Sequence, residues 1–333
     1  MRISIALCTY NGEKYLREQL DSLFNQSLKP HEIVISDDMS SDDTLSILHE
    51  YEKKDKAISV RILENNQKRG VFKNFPYVIS QCVGDIIFTC DQDDYWLPTK
   101  LERHFEAHIK EPNVDLIYSN ADVVLNDIEH YLYPLWEIKS IQDSDKGQAS
   151  FSSLVIKGRS IAGCCMSFKK SFIDLIYPFP DEIYHDDWIA TNACLIGKIK
   201  GISESLIKYR QHSNNAVGIV RGGKLSFYKS LFTNVAFYVK SDMYIYSRHK
   251  KIYKALSDMK NTTNLVKHYD LQSNIEFYRA RSYYEEGPLL KSLLSLSKNL
   301  LKRRYRYHHG IFTYFKDIYN LFFIKLFNIR LKA

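Results

Sequence analysis

The 333-residue chain is 45% hydrophobic and 26% charged, a balance that suits one large or two ordinary soluble domains and excludes disorder as its main character. Eight Pro and 13 Gly exclude a collagenous or low-complexity chain, and no run of about 18 uncharged apolar residues is present to span a bilayer. The net charge of +7 is unevenly placed: residues 298–333 hold nine Lys or Arg against the single acid Asp317, so +8 lies in the tail and −1 in the rest, which argues against nucleic acid as a partner of the body.

Met1 to Cys8 is apolar over too few residues for a signal-peptide core, and reads as the first strand of a cytoplasmic protein. The six cysteines show no Cys-x-x-Cys spacing, so they are expected to be reduced and buried; the pair Cys164-Cys165 reads as core packing rather than a metal or redox site. After the strand, Leu16, Leu20, Leu23 and Phe24 recur at helical spacing. Glu32 to Ser36 predicts a second strand, Thr44 to Tyr51 a helix with Asp42 and Asp43 at its start, Val60 to Leu63 a third strand, Val71 to Cys82 a helix and Asp85 to Cys90 a fourth strand. Strand-helix-strand units of this length predict an α/β fold with a mostly parallel, doubly wound sheet. Gln142 to Ser150 is expected to be a mobile loop, strand-like runs resume at Phe151 and at Ile161 to Phe168, and the pattern turns helical from about residue 222.

In such a sheet, ligands gather beyond the carboxyl ends of the strands. The polar clusters fall there: Thr9-Tyr10-Asn11-Gly12 after strand one, Asp37-Asp38 after strand two and Asp91-Gln92-Asp93-Asp94 after strand four. Three carboxylates within four positions repel one another, which either a divalent metal or a solvated turn can relieve. A carboxylate at Asp37 or Asp38 can accept from a pyrimidine ring N–H or from ribose hydroxyls. Neither a Gly-x-Gly-x-x-Gly nor a Walker motif is present, so a phosphate-bearing ligand would depend on metal and on side chains such as Lys68 and Arg69. Tyr184-His185-Asp186-Asp187-Trp188 opens an apolar helix over Ile189 to Ile196, and Tyr209-Arg210-Gln211-His212 follows a strand-like Ser205 to Lys208.

These motifs, in this order over roughly residues 1–215, resemble the inverting glycosyltransferases of family 2, which have the GT-A fold: a Rossmann-like, mostly parallel sheet flanked by helices. The version with Asp-Gln-Asp-Asp-x-Trp and a His-Asp pair looks most like the bacterial rhamnosyltransferases of polysaccharide and O-antigen synthesis. The resemblance implies a dTDP- or UDP-sugar donor, bound by Thr9, Tyr10, Asn11, Asp38, Arg69, Asp91 and Arg210. It implies Mg²⁺ or Mn²⁺ at Asp93 with His212, and Asp186 as catalytic base. Close relatives read His-Asp-Trp-Trp where this chain has Asp187 after Asp186, so Asp187 is the alternative base.

The implied organisation is a nucleotide-sugar half (1–120), an acceptor half of the same domain (121–221) and a helical C-terminal region (222–333). In the tail, Ile311, Phe315, Ile318, Phe322, Leu326 and Ile329 fall on one helical stripe with basic neighbours. That pattern suits a helix lying on an anionic membrane; a helix packed on its own domain or a partner subunit is the alternative. The expected protein is cytoplasmic and peripheral to the membrane, acting on a glycan or lipid-linked glycan. An Asp-nucleophile phosphohydrolase and a non-enzymatic membrane-docking module are the rival readings.

Overall fold

The computed structural model describes residues 1–136, 161–213, 215, 245–256, 272, 275–279 and 289–301. Its first strands form where the sequence is continuously apolar, as strands buried on both faces require. They are β1 (Ile3–Thr9), β2 (Glu32–Asp37), β3 (Ser59–Glu64) and β4 (Ile86–Cys90), with helices α1 (Glu13–Phe24), α2 (Thr44–Glu52) and α3 (Val71–Gln81) between them. The α1 residues Leu16, Leu20, Leu23 and Phe24 share one core with Ile5, Leu7, Ile33 and Phe88. Each such leucine contributes about 1.5–3 kcal/mol of burial.

The chain continues through β5 (Tyr95–Trp96), α4 (Lys100–Lys110), β6 (Leu116–Leu125), β7 (Tyr131–Pro134), a 3₁₀ turn (Gly163–Cys165), β8 (Met166–Lys169), α5 (Lys170–Ile176), α6 (His185–Leu195) and β9 (Ile199–Gln211). The strand order is β3-β2-β1-β4-β8-β6-β9-β5, with β7 on β6. Pairing is parallel from β3 to β4 and again between β6 and β9; β8 runs antiparallel to both of its neighbours, and β5 to β9. Because β2 and β4 lie on opposite sides of β1, the order reverses beside β1. That reversal opens a crevice at the carboxyl ends of β1 and β4.

Two details differ from the sequence reading. Tyr209, Arg210 and Gln211 are not a polar segment beyond a strand; they are the last residues of β9, paired with Val123, Val124 and Leu125. Arg210 is tolerated there because partners inside the fold satisfy it, as described below. Of the run Ile161 to Phe168, only Met166 onward is strand, after the 3₁₀ turn. None of the six cysteines is in a disulfide, and all but Cys8 are buried.

The chain divides into two compact units, one of residues 1–154 with 160–220 and one of 155–159 with 221–333. In the second, the described residues are helical, and Phe277 and Tyr278 pack edge to face with centroids 5.2 Å apart. The run Gln142 to Ser150, the strand expected at Phe151 and the amphipathic stripe after residue 310 lie outside the described residues. No described helix is long and apolar enough to cross a membrane.

Candidate active site

The turn after β1 is built by side chains that answer its backbone. Gln92 accepts from the Tyr10 N–H through Oε1 at 2.8 Å and donates through Nε2 to the Tyr10 carbonyl at 3.0 Å. A Cβ on Gly12 would collide with that amide, which explains the glycine. Asn11 adopts φ 47° and its Oδ1 accepts from the Ser41 N–H at 2.9 Å. Thr9 donates from Oγ1 to Asp37 at 2.7 Å, so its hydroxyl serves the fold. The Tyr10 ring is 43% exposed, with Lys68 Nζ 3.6 Å from its centroid, and is the open wall of the crevice.

Asp38 is buried and accepts from the N–H groups of Arg69 at 2.6 Å and Gly70 at 2.9 Å, and from Asn65 Nδ2 at 3.3 Å. It thereby holds the loop that enters α3, where Gly70 takes φ 70°. Arg69 lies across the Tyr77 ring at 3.7 Å and donates to Asn65.

The acidic strand end after β4 separates into two settings. Asp93 Oδ2 stands 2.9 Å from His212 Nε2 and 3.5 Å from Asn215 Nδ2, and the His212 ring packs on Tyr15 at 4.7 Å. Asp94 is fully buried: Oδ1 accepts from the Arg210 N–H at 3.0 Å, and Oδ2 has no partner. Burial, then the neighbouring Asp93 charge, pushes its carboxyl up to about 8, against the Arg210 N–H that favours the anion. Asp91 is held well above the ordinary carboxylate range by burial, then by Asp94, Asp93 and Asp186. Donor atoms of Asp91, Asp94 and Cys164 lie within 4.8 Å of one another. Lys100, buried behind them, donates to the Cys164 carbonyl and lies 3.8 Å from the Trp96 ring centre.

Arg210 does not face the crevice. It is 2% exposed, donates to the carbonyls of Asp93 and Asn126 at 2.7 Å each, pairs with Glu18 and covers Tyr15 at 4.5 Å. Every arm of the guanidinium is engaged, so its place is that of a brace under Asp93 rather than a ligand for a donor.

Asp186, in the first turn of α6, is half-buried and close enough to raise the Asp91 carboxyl. Its Oδ1 accepts from the Asp187 N–H at 2.8 Å. Asp187 is buried at 4% exposure. Tyr10, Asp91, Asp93, His212 and Asp186 are thus gathered at one end of the sheet. Thr9, Asn11, Asp38 and Arg210 are there too, with their polar atoms committed to the protein.

Sequence reasoning passed over Gln92, Glu18, Lys100 and Asn215. Gln92 stood inside the quoted motif without a role, and a long polar side chain beside a glycine turn was its one signal.

A switch-point crevice lined by carboxylates from a strand end and from a facing helix is the site of an α/β enzyme. The model of glycosyl transferase family 2 matches residues 4–175, more than half of the chain. The chain belongs to that family and is a glycosyltransferase. It is 29% identical over 226 residues to the dTDP-rhamnosyl transferase RfbG of Shigella flexneri, covering 64% of this chain and 73% of that protein. Its fold is similar to S. aureus TarS 1–349 in complex with UDP-GlcNAc, with TM-score 0.62 and 18% identity over 100% of this chain and 93% of the other. It is also similar to the mannosyltransferase PcManGT of Pyrobaculum calidifontis with GDP-Man and Mn²⁺, with TM-score 0.50 and 16% identity over 99% and 88%.

Proposed function

We propose that the chain is an inverting, nucleotide-sugar-dependent transferase that moves a sugar, rhamnose from dTDP-rhamnose in first place and a UDP-sugar in second, to a hydroxyl of a growing lipid-linked cell-surface glycan. The observation that carries the mechanism is the approach of Asp186, from α6, to the strand-end acid Asp91. Inversion needs one carboxylate on the acceptor side and counter-charge on the opposite, diphosphate side. Similarity to the dTDP-rhamnosyl transferase RfbG supports rhamnose, and the amphipathic tail pattern supports a lipid-linked acceptor at a membrane surface.

Tyr10 offers its face to the base. Asp38 lines the pocket beside it, with Thr9 and Asn11 fixing the turn. Asp91 faces the ribose or sugar. Lys68 and Arg69 are the cations nearest the nucleotide wall; Arg210 acts beneath the site. A metal is compatible with the residues present: a carboxylate oxygen and an imidazole nitrogen 2.9 Å apart are donors that a divalent cation can bridge, and the imidazole favours Mn²⁺ over Mg²⁺. Asp93 and His212 would hold it, and when bound it supplies positive charge to the departing diphosphate. Asp186 takes the proton from the acceptor hydroxyl as that oxygen bonds to the anomeric carbon and the carbon–diphosphate bond breaks. Asp187 is buried behind it, which favours Asp186 as the base.

Asp186→Asn should keep nucleotide binding and lose transfer by about 10²–10⁴-fold. Asp93→Ala should lose metal-dependent nucleotide binding. Transfer assays with dTDP-rhamnose and UDP-GlcNAc choose between donors, and normal turnover by Asp186→Asn would refute the base.

A further inference from the structure

One turn of α3 reaches the helix that carries Asp186. Phe72 packs on Tyr184 with ring centroids 4.6 Å apart, Lys73 Nζ is 3.3 Å from Asp181, and Phe75 stacks on His185 at 3.9 Å with 20° between planes. On another side the His185 ring abuts Gly163: a Cβ there would lie 2.6 Å from His185 Nε2 and 3.7 Å from Asp186 Cβ. Gly163 is itself fixed, because its carbonyl accepts from Thr89 Oγ1 of β4 at 2.6 Å.

The imidazole is 5% exposed, and neither of its nitrogens has a hydrogen-bond partner among the described residues. A buried polar ring that makes no hydrogen bond costs free energy, so what it contributes here is its flat shape. The N-cap of α6, Tyr184, makes no side-chain capping hydrogen bond. That turn is located by its packing on α3 and by the Trp188 indole N–H, which donates to the Ile176 carbonyl at 3.0 Å.

We propose that the stack Phe75–His185–Gly163 is a positioning device for the catalytic base: it sets where Asp186 stands relative to Asp91, and His185 acts through its ring face rather than through a nitrogen. The proposal rests on Asp186 being the base. The N-terminus of α3, directly before that turn, is anchored by Asp38 through the N–H groups of Arg69 and Gly70, so one end of the helix touches both the nucleotide wall and the start of α6.

The test compares His185→Phe, His185→Leu, Phe75→Leu, Gly163→Ala and Asp186→Asn in the full chain. The readouts are kcat, donor KM and the melting shift produced by nucleotide with Mn²⁺. Displacement of a reacting group by about 1 Å costs on the order of a hundredfold, so His185→Leu and Phe75→Leu should lower kcat at least about tenfold, with donor KM and the nucleotide shift unchanged. His185→Phe, which keeps the plate, should hold kcat within about twofold of wild type. Gly163→Ala approaches the ring from another element and should lower kcat in a protein that still shows the nucleotide shift. Loss in His185→Phe equal to that in His185→Leu overturns the proposal, as does full kcat in His185→Leu while Asp186→Asn is inactive. Full turnover by Asp186→Asn overturns the base assignment and this proposal together.

Discussion

Arg210 shows what residue type alone conveys and what it withholds. An arginine in a polar run near acids suggests an anion ligand, yet its guanidinium donates to two backbone carbonyls and to Glu18, far away in sequence. Such partners are set by tertiary folding and leave no local signature. Arg210→Met keeps the stem but leaves buried acceptors unpaired, which should cost about 3–5 kcal/mol in denaturant unfolding. Since the Asp93 carbonyl and the Tyr15 ring lose their support, metal affinity should fall as well. A variant with wild-type stability would show the brace to be dispensable. Gly12→Ala makes a second test at this scale: the new methyl must displace Gln92, release the Tyr10 turn and weaken nucleotide binding in titration calorimetry, whereas a variant binding as wild type would deny the clamp a role.

At the scale of elements, β1, β2, β4 and α1 were legible because each is an apolar run or an amphipathic stripe with no competing demand. β9 extends beyond the strand-like Ser205 to Lys208 at both ends: Lys200, Gly201 and Glu204 break the apolar pattern before it, and periodicity cannot see that Arg210 after it pairs its N–H with Asp94. The contact between α4 and β8 was likewise hidden. There Ser167 Oγ lies 2.9 Å from His104 Nδ1 and 3.0 Å from His108 Nε2, all buried. Burial, with Lys100 and His108 adding to it, holds His104 well below its ordinary range; burial, then Lys169, pushes His108 down to about 4. Both are neutral when folded but take up protons near pH 6.5 when unfolded. Their stabilisation is therefore complete above about pH 6.5 and is lost as pH falls toward about 4, by up to about 1.4 kcal/mol per histidine per pH unit. Asp91 and Asp94, raised in the folded state, act in the opposite sense, losing stabilisation as pH rises. The informative quantity is thus the difference between wild type and His108→Gln, which cannot protonate. That difference should shrink as pH falls from 6.5 to 4.5, and a gap constant with pH would contradict the neutral histidine.

For the molecule as a whole, the proposed site draws on residues from Tyr10 to His212, that is, on the turn after β1, the loop before α3, the end of β4, the start of α6 and the residue after β9. The acidic motifs could be placed at strand ends from sequence, because an α/β sheet puts its ligands there, but which strands flank the crevice follows only from the order β3-β2-β1-β4-β8-β6-β9-β5. A ligand that bridges such dispersed elements stabilises the unit that holds them all, not one loop. At 100 times its dissociation constant it adds about 2.7 kcal/mol. For a unit of roughly 150–250 residues each kcal/mol moves Tm by about 2–4 °C, so dTDP or UDP with Mn²⁺ should raise the melt by about 5–10 °C. His212→Ala removes one proposed metal donor and the ring packed on Tyr15 while leaving Tyr10 and Asp38 in place. Its nucleotide shift should therefore fall to the size seen for wild type in EDTA, with the ligand-free Tm moving less. If His212→Ala retains the full metal-dependent shift, the cation is held elsewhere, and Asp91, Asp94 and Cys164 become the donors to vary next.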